Sequence, residues 1–445
     1  MTDQQLYSPI DITHQIACGI DVHKQFLIAV VCDETKPGEP VYYKQRFSLF
    51  TKDLRKLVDW LISLNCSHVC MESTGQYWVP VFRILENKMK EVRVVNPKWV
   101  KQVRGEKDDQ KDAVMICNKY RHGETKSSFI PNKDIRGLRG LTRLETKMVN
   151  ELTAICNRIN IALVANNYRL DSVFSTIKTK SAQRILEIIL NNDTWTDEQI
   201  LECVDRRCKA SREDILAAVD GIPFDQLEKD KLQVLLAHKK VLEAEIKLLQ
   251  SQIEEACKEY LEIITVLMTI PGVGKRAAQC ILAEIGDDMS IFANPARLAR
   301  WAGLAQDRNE SADRKYSNRI GQGGKYLKPI MVQCAWAAVK SKNPYYKAKF
   351  ENIQSRRGTK RAIVAIARKM VVSIWAMLTY GSEWNPVDKK ENGCPRELSI
   401  RKSISKLDHA VSELIAQGKD EEEITRELKS IIQKHSTKTS PELAA

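Results

Sequence analysis

Residues 16–33, IACGIDVHKQFLIAVVCD, are the stretch of sequence that decides the fold. They contain two apolar runs, 16–20 and 26–32, separated by a polar bend that begins at Asp21. Runs of this length that are rich in Ile and Val and bounded by polar residues are typical of buried β-strands. The stretch therefore predicts two strands joined by a short bend, with a carboxylate at the end of the first strand.

The segments that follow predict the rest of one α/β domain. They are a strand at 41–47, a helix at 52–63, a strand at 67–71, a helix at 78–89, a strand at 92–95, and a helix that carries Asp109 and Asp112. Three strands in a meander followed by alternating helices and strands is the order of an RNase H-like fold. We expect this RuvC/RNase H-like domain to occupy residues 14–128.

Four carboxylates of this domain predict a metal site. Asp21 follows the first strand and Glu72 follows the fourth, while Asp109 and Asp112 share one face of their helix. An RNase H-like fold would gather these strand ends near the helix. Converging carboxylates repel each other unless a hard cation neutralises them, and Mg²⁺ and Mn²⁺ are the ions that suit phosphoryl transfer. The four residues therefore indicate cutting or joining of nucleic acid strands.

Composition is consistent with this interpretation. The chain has 445 residues, of which 43% are hydrophobic, and a net charge of +13. Its length predicts two or three globular domains, and its charge favours a polyanionic partner, with nucleic acid the first candidate. The twelve cysteines are scattered without a C-x-x-C pair, which favours reduced thiols over disulfides or a zinc site.

The sequence predicts no secretion or membrane signal. Its first residues lack the basic and apolar regions of a signal peptide, and the apolar stretch 362–378 is interrupted by Arg368 and Lys369. We expect a cytoplasmic, nucleoid-associated protein.

Residues 134–262 predict a helical coiled-coil region. Apolar residues recur at heptad spacing in two runs, 141–162 and 232–260. Two such helices, separated by a mixed insert at 166–225, form either an antiparallel hairpin or a dimerisation stalk. An ordinary helical core within one chain is the alternative.

The sequence IPGVGK at 270–275 opens a mainly helical C-terminal domain, residues 263–383. This turn between two helical patterns resembles a helix-hairpin-helix, in which glycine backbone N–H groups at a helix start hold a DNA phosphate. A plain interhelical turn is supported equally well. Residues 384–445 become polar and predict a helical appendage.

Residues 297–369 are dense in Arg and Lys, with aromatic residues interleaved. Such a face would attract backbone phosphates, and its exposed rings would stack on unpaired bases. The candidate nucleic-acid-binding residues are Lys107, Gly272, Gly274, Lys275, Arg314, Lys315, Arg319 and Lys325.

Ser311 lies in a polar loop just before the glycine-rich segment 319–325. A serine flanked by cations could attack a phosphodiester, because the cations would stabilise the alkoxide and the pentacoordinate phosphorus. Most loop serines only form turns or caps, however, and no histidine lies close in sequence. The residues alone leave both interpretations open.

Several ordered motifs resemble one family. They are GIDVHK at 19–24, MESTG at 71–75, VNP at 95–97, KDDQKDA at 107–113, IPGVG at 270–274 and NESA at 309–312. Together they resemble the DEDD transposases of bacterial insertion sequences, the insertion sequence 110 family, with its 1111 subgroup as a candidate. The resemblance covers residues 16–125 and 262–380.

The resemblance implies a role for each matching residue. Asp21, Glu72, Asp109 and Asp112 correspond to the DEDD metal ligands of a RuvC-like domain, and Ser311 corresponds to the nucleophilic serine of the transposase domain. It further implies site-specific DNA recombination through a covalent phosphoserine link, in a composite site across protomers. Element ends and target DNA, a noncoding bridge RNA and further copies of the chain, as dimer or tetramer, are the implied partners.

The chain departs from the family pattern near both sites. Asp108 replaces a usual threonine, and Asp313-Arg314 replace Gly-Lys after the serine. Two alternatives therefore stand beside the recombinase. One is a RuvC-type metal-dependent junction nuclease in which Ser311 is structural, and the other is an inactive nucleic-acid-binding remnant.

Overall fold

The structure is a computed structural model. It describes residues 12–97, 109–192, 194–306, 310–311, 314–315, 320–321 and 323–386, together with 411, 415, 420, 422–426 and 429. The side chains of residues 109–110, 310–311 and 314–315 are outside this description. The chain divides into two compact units, Met1–Ile130 and Pro131–Ala445. The predicted domain boundaries at 262 and 383 stay a prediction, and most of the predicted appendage lies outside the described residues.

The first unit contains the strands and helices that the sequence predicts, in the same order. They are β1 (Ile16–Val22), β2 (Phe26–Asp33), β3 (Val41–Ser48), α1 (Thr51–Ser63), β4 (His68–Glu72), α2 (Trp78–Leu85), β5 (Glu91–Val95) and α3 (Asp109–Arg121). The second helix ends at Leu85, earlier than the predicted residue 89. Residues 86–89 form turns instead, and the buried side chain of Met89 still packs in the core, which explains its helix-like apolar pattern.

The five strands form one sheet in the order β3-β2-β1-β4-β5. The first three are antiparallel neighbours, whereas β4 is parallel to β1 and β5 is parallel to β4. This topology is consistent with the predicted RuvC/RNase H-like domain. Because β1 and β4 run side by side in the same direction, their carboxyl ends lie at the same edge of the sheet.

Different helices cover the two faces of the sheet. Leu57 of α1 packs against Ile20, together with residues of α2. On the other face, Ile116 of α3 packs against Ala17 and Cys70. Alternate residues of a strand point to opposite faces, so the odd-numbered positions of β1 point towards α3.

The second unit is mainly helical. Its elements are α4 (Lys133–Ala165), α5 (Leu170–Val173), α6 (Lys180–Asn191), α7 (Asp197–Glu202), α8 (Arg212–Val219), α9 (Gln226–Ala256), a short 3₁₀ turn (Lys258–Tyr260), α10 (Leu261–Met268), α11 (Lys275–Ile285), α12 (Pro295–Trp301), β6 (Glu310–Ser311), β7 (Arg314–Lys315), α13 (Leu327–Lys340), α14 (Pro344–Arg357) and α15 (Thr359–Tyr380).

The two long helices α4 and α9 pack on each other within the chain. Their heptad residues share one core with the insert between them, including Ile155 and Ile159 of α4, Leu242 of α9 and Ile185 of α6. An ordinary core within one chain accounts for these buried residues. The predicted dimerisation stalk therefore stays a prediction.

The thiols within the described residues are all unpaired. Eleven cysteines are free, and nine of them are buried. Burial raises the pKa of the Cys66, Cys70 and Cys117 thiols to about 12, so these groups stay protonated and unreactive at neutral pH.

One helix among the described residues, α15, is long and apolar enough to cross a membrane by length and composition alone. It tolerates the two cations that interrupt its apolar run in the sequence. Core helices of soluble proteins pass the same criterion, and Ile366 and Met370 of α15 are buried within the second unit.

Candidate active site

Asp21 and Glu72 lie at the carboxyl ends of two neighbouring parallel strands. The pairing of β1 with β4 matches Ile20 to Met71, so the next residues along each strand, Asp21 and Glu72, lie side by side at the sheet edge. Asp21 is only 7% exposed, and a carboxylate at that depth needs a compensating charge or hydrogen bond. The structure therefore brings together the two strand-end carboxylates that the sequence predicts.

Gly19 sets the position of α3, the helix that carries the other two predicted carboxylates, Asp109 and Asp112. A Cβ at Gly19 would lie 2.3 Å from the backbone N of Cys117 and 2.4 Å from the carbonyl O of Ala113, so only glycine lets α3 rest directly on β1. Two residues earlier on the same face, the Ala17 carbonyl accepts a hydrogen bond from the Cys117 thiol at 3.2 Å. Sequence reasoning missed this role, although a glycine inside an apolar strand is a signal of close backbone approach.

The direction of α3 follows from these contacts. Ala17 packs beside Ile116 and Tyr120, late in the helix, whereas Gly19 meets Ala113 one turn earlier. The helix therefore runs antiparallel to β1. Its first turn, with Asp109 and Asp112, lies towards the end of the strand where Asp21 is found.

Asp21 and Glu72 each have a polar neighbour within hydrogen-bond distance of the carboxylate. His23 Nε2 lies 2.9 Å from Asp21 Oδ2, and Thr74 Oγ1 donates to Glu72 Oε1 at 3.1 Å. His23 therefore acts as a hydrogen-bond partner of the Asp21 carboxylate. Asp112 is half-buried, and the side chain of Asp109 is not described.

Carboxylate oxygens are the donors that Mg²⁺ and Mn²⁺ prefer, and two of the predicted ligands, Asp21 and Glu72, are neighbours at the carboxyl ends of paired strands. Among the side chains that the structure describes, however, no three His, Cys, Asp or Glu residues lie close enough together to hold a metal ion. The donor chemistry fits the ion, and the predicted four-residue metal site stays a prediction.

Ser311 lies in a small antiparallel hairpin. It ends β6 and pairs with Arg314 of β7, while the segment around them is closed at its base by the bridge from Gln306 to Ile320. The Gly321 N–H also donates to the Ala305 carbonyl at 3.1 Å. The backbones of Ser311 and Arg314 are therefore paired across the hairpin, and the predicted role of the serine stays a prediction.

Glycines close the base of this Ser311 segment. A Cβ at Gly303 would lie 2.1 Å from the Gly323 carbonyl oxygen, and one at Gly324 would lie 2.2 Å from the Ala302 carbonyl oxygen. Both residues also have positive φ angles, of 67°. The glycine-rich segment thus provides close backbone packing behind Ser311, and its predicted affinity for phosphate stays a prediction.

An ion pair between half-buried Arg143 and buried Glu284 lies beside this base. The Arg143 guanidinium donates to both carboxylate oxygens of Glu284, at 2.7 and 2.8 Å, and lies 4.5 Å from the ring centre of Tyr326. Arg139 donates to the carbonyls of Ala283 and Glu284 at the end of α11, and burial lowers the pKa of Arg139 to about 10. These contacts join α4 to the segment that follows Ser311, and no local sequence signal predicts them.

The remaining candidate residues have mixed surroundings. Gly272, with a φ of 88°, packs against the backbone of Cys334 and Ala338 in α13, whereas Gly274 is exposed at the start of α11. Lys275 pairs with Glu254 at 2.6 Å. Exposed Lys325 lies 5.8 Å from the Tyr326 ring centre. Lys107 and Arg319, and the side chains of Arg314 and Lys315, are outside the described residues.

Two family models match the chain. A DEDD transposase model of IS110 type matches residues 18–166, and a model described as "Transposase IS116/IS110/IS902 family" matches residues 264–351. Together they span just over half of the chain. The chain belongs to the IS110 family of transposases.

Curated relatives agree with the family models. The transposase is 22% identical over 377 residues to the transposase for insertion sequence element IS1111A of Coxiella burnetii, which covers 81% of this chain and 89% of the relative. It is 26% identical over 302 residues to a 42 kDa protein of insertion element IS900 from Mycobacterium paratuberculosis, and the match covers 64% of this chain and 74% of the relative. A pilin gene-inverting protein of Moraxella bovis is 30% identical over 129 residues, and this match covers 28% of this chain and 39% of the relative.

Membership identifies the transposase as a DNA-processing protein of an insertion sequence. The first model spans β1, β4 and α3, which carry the four carboxylates, and the second spans the turn at Gly272 and the Ser311 hairpin. Both candidate sites therefore lie within the segments that define the family.

Proposed function

We propose that this transposase cuts and rejoins DNA strands by site-specific recombination, with Ser311 as the nucleophile and Asp21, Glu72, Asp109 and Asp112 as the second half of a composite site. The observation that carries the proposal is the contact of α3 with β1 at Gly19. This contact directs the first turn of α3, with its two aspartates, towards the sheet edge where Asp21 and Glu72 lie side by side.

In the covalent step, Ser311 Oγ attacks the phosphorus of a DNA phosphodiester. The Oγ–P bond forms while the bond from phosphorus to one sugar oxygen breaks; the serine proton passes to a base, and the released sugar oxygen takes up a proton. The number of phosphate ester bonds is unchanged, so a second strand can reverse the step without an energy source. Nearby Arg314 and Lys315 would stabilise the charge on the pentacoordinate phosphorus.

The acidic half would prepare the strand for this attack. Mg²⁺ or Mn²⁺, held by the four carboxylates, would supply positive charge to the phosphate oxygens. His23 and Thr74 restrict the orientations of the Asp21 and Glu72 carboxylates through the hydrogen bonds described above. This restriction lowers the entropic cost of assembling the site.

The proposed partners extend beyond DNA. The net charge of +13 and the resemblance to RNA-guided members favour a noncoding bridge RNA, and the same resemblance favours assembly into dimers or tetramers. RNA of defined length that copurifies with the full chain would support this partner, whereas RNA-free protein that still recombines DNA would contradict it.

Ser311→Ala tests the proposed nucleophile. We expect the variant to lose both strand exchange and the denaturant-stable protein–DNA adduct on a gel with labelled element-end DNA, because no Oγ remains to bond phosphorus. Ser317→Ala, in the same segment, is the matched control and should retain both. An adduct formed by Ser311→Ala would contradict the proposal.

A junction nuclease is the second candidate, because Asp21 and Ser311 belong to different compact units and the acidic residues could cleave DNA alone. It predicts that Ser311→Ala still cuts junction DNA and that Asp21→Asn does not. Asp59→Asn, an exposed position on α1, serves as the control for the loss of a carboxylate.

A further inference from the structure

Three planar side chains form a row that runs from Asp21 towards β3, the outermost strand of the sheet. The His23 ring, which contacts Asp21, lies 4.8 Å from the Phe26 ring at an interplanar angle of 30°. The Arg46 guanidinium carbon lies 3.9 Å from the centre of the Phe26 ring. An imidazole, a phenyl ring and a guanidinium thus form one continuous row that starts at the acidic site.

The register of the sheet places this row on the same face as α3. Arg46 pairs with Ile28, and Ile28 packs with Phe26 and with Ala113 of α3. The strand β3 that carries Arg46 is at the edge of the sheet, and the Arg46 side chain is exposed. The guanidinium is therefore held beside the helix that carries Asp112 and is open to solvent.

An exposed cation in this position has a clear electrostatic use. The carboxylates repel the phosphates of any DNA strand that approaches them, so a binding site needs positive charge at its border. Within the described residues Arg46 makes no ion pair, and its guanidinium carbon lies over the Phe26 ring. A planar guanidinium that packs on an aromatic ring can still form two parallel hydrogen bonds with a phosphate.

We propose that Arg46, held in place by Phe26, binds a backbone phosphate of the DNA strand that enters the acidic site. Arg46 is a strand-positioning residue, and the His23–Phe26–Arg46 row fixes the distance between that phosphate and Asp21. The proposal rests on the proposed function, since it assumes that DNA is the strand at this site. It adds a binding contact that the four carboxylates and Ser311 do not supply.

The test measures binding of the full chain to a fluorescein-labelled duplex that carries the end of its own element, by anisotropy in EDTA and at several KCl concentrations. Arg46→Ala should bind about 5- to 10-fold more weakly, and the slope of log affinity against log salt should fall by about one, because one phosphate contact is lost. Arg46→Lys should be intermediate, since it keeps the charge and loses the planar fork.

Two further variants separate positioning from charge. Phe26→Leu keeps Arg46 and the apolar volume but removes the ring, and should weaken binding in the same direction by about threefold. Arg55→Ala removes one exposed cation from α1, which covers the opposite face of the sheet, and should change binding by less than twofold. Thermal melts of each variant check that the fold is intact.

Affinity and salt slope unchanged in Arg46→Ala, or an equal loss in Arg55→Ala, would overturn the proposal. Loss of RNA binding with unchanged DNA binding would also overturn it. A strand-exchange assay separates it from the proposed function. Excess DNA should restore the rate of strand exchange by Arg46→Ala, because that variant only binds DNA more weakly, but it should not restore exchange by Asp21→Asn. Normal strand exchange by Asp21→Asn would refute the proposed function and would leave the result of the binding test unchanged.

Discussion

The acidic residues and Ser311 are held in place in different ways. Asp21 and Glu72 lie at the carboxyl ends of two paired strands, and α3 rests along β1 because Gly19 has no side chain. Ser311 ends a strand of two residues, in a segment whose base is closed by glycine backbone contacts. The acidic half therefore depends on whole elements of the first unit, whereas the serine half depends on a few contacts at one point.

This difference predicts different consequences of damage. Displacing α3 disturbs the sheet core together with the site, so stability and activity should fall together. Opening the base of the Ser311 segment leaves most of the helical core intact, so activity should fall further than stability. Three substitution experiments, from the largest expected effect to the smallest, test this contrast.

Gly19→Ala should have the largest effect. The added Cβ would lie 2.3 Å from the backbone N of Cys117, so α3 must move away from β1 and carry Asp112 with it. We expect a loss of about 3 kcal/mol in the free energy of unfolding, measured by urea denaturation, and loss of strand exchange.

Gly140→Ala is the matched control for this substitution. It lies on an exposed face of α4 with no atom near its added Cβ, so alanine should be neutral or stabilising by up to about 1 kcal/mol. Equal stability of Gly19→Ala and wild type would show that α3 does not depend on this contact.

Gly324→Ala should have a smaller effect on stability but a large effect on activity. Its Cβ would meet the Ala302 carbonyl oxygen, and its positive φ adds backbone strain. We expect a loss of about 2 kcal/mol in unfolding free energy and at least a tenfold reduction in adduct formation at Ser311, measured on denaturing gels.

Gly381→Ala separates the clash from the strain. Gly381 also has a positive φ, of 62°, but nothing lies near its Cβ position. Alanine there should cost about 1 kcal/mol and leave adduct formation unchanged. If Gly324→Ala and Gly381→Ala formed the adduct equally well, the glycine contacts at the base of the Ser311 segment would not be needed for adduct formation.

The smallest expected effect is a dependence of the first unit on pH. His14 and His68 stack with ring centres 4.3 Å apart, and burial lowers the pKa of both below the usual value. Lys90 lowers both pKa values further and Arg93 lowers that of His14, whereas Glu91 raises both. Ser67 Oγ lies 3.2 Å from His68 Nδ1, and the centre of the Tyr120 ring lies 4.8 Å from that of the His14 ring. The unfolded chain therefore binds these protons more tightly than the folded chain.

The stability that these neutral histidines contribute is present above the ordinary histidine pKa and is lost as pH falls through the lowered folded values. The melting temperature should fall between pH 7.5 and pH 5.5, and this fall should be smaller in His14→Gln and in His68→Gln than in the wild type. His238→Gln, on the exposed surface of α9, should keep the full drop. If the drop is identical in all variants, the two histidines do not cause it.

Local patterns explain why most of the first unit was predictable. The strands around Asp21 and before Glu72 are short apolar runs, and apolar patterning reports burial directly. The i, i+3 spacing of Asp109 and Asp112 depends only on helix geometry, so their shared face also follows from sequence. The turn at 86–89 was the exception, because buried Met89 continued an apolar pattern without continuing the helix.

The second unit was harder to predict for a physical reason. Heptad spacing in α4 and α9 predicts a buried stripe without specifying what covers it, and here residues of the intervening insert, such as Ile185, share that core. Likewise, the partners of Arg143 and Gly303 lie far away or across a loop, and residue type alone carries no information about them.

By itself, the sequence determined the order of strands and helices in the first unit, the placement of Asp21 and Glu72 at strand ends, and the ordered motifs of an IS110-family transposase. Those features depend on neighbours within a few residues. Only the tertiary structure decided that Gly19 admits α3, that glycines close the base of the Ser311 segment, and that Arg46 stacks on Phe26 beside the acidic site. Each of these is a contact between separate segments, and close packing selects such contacts only when the chain is folded.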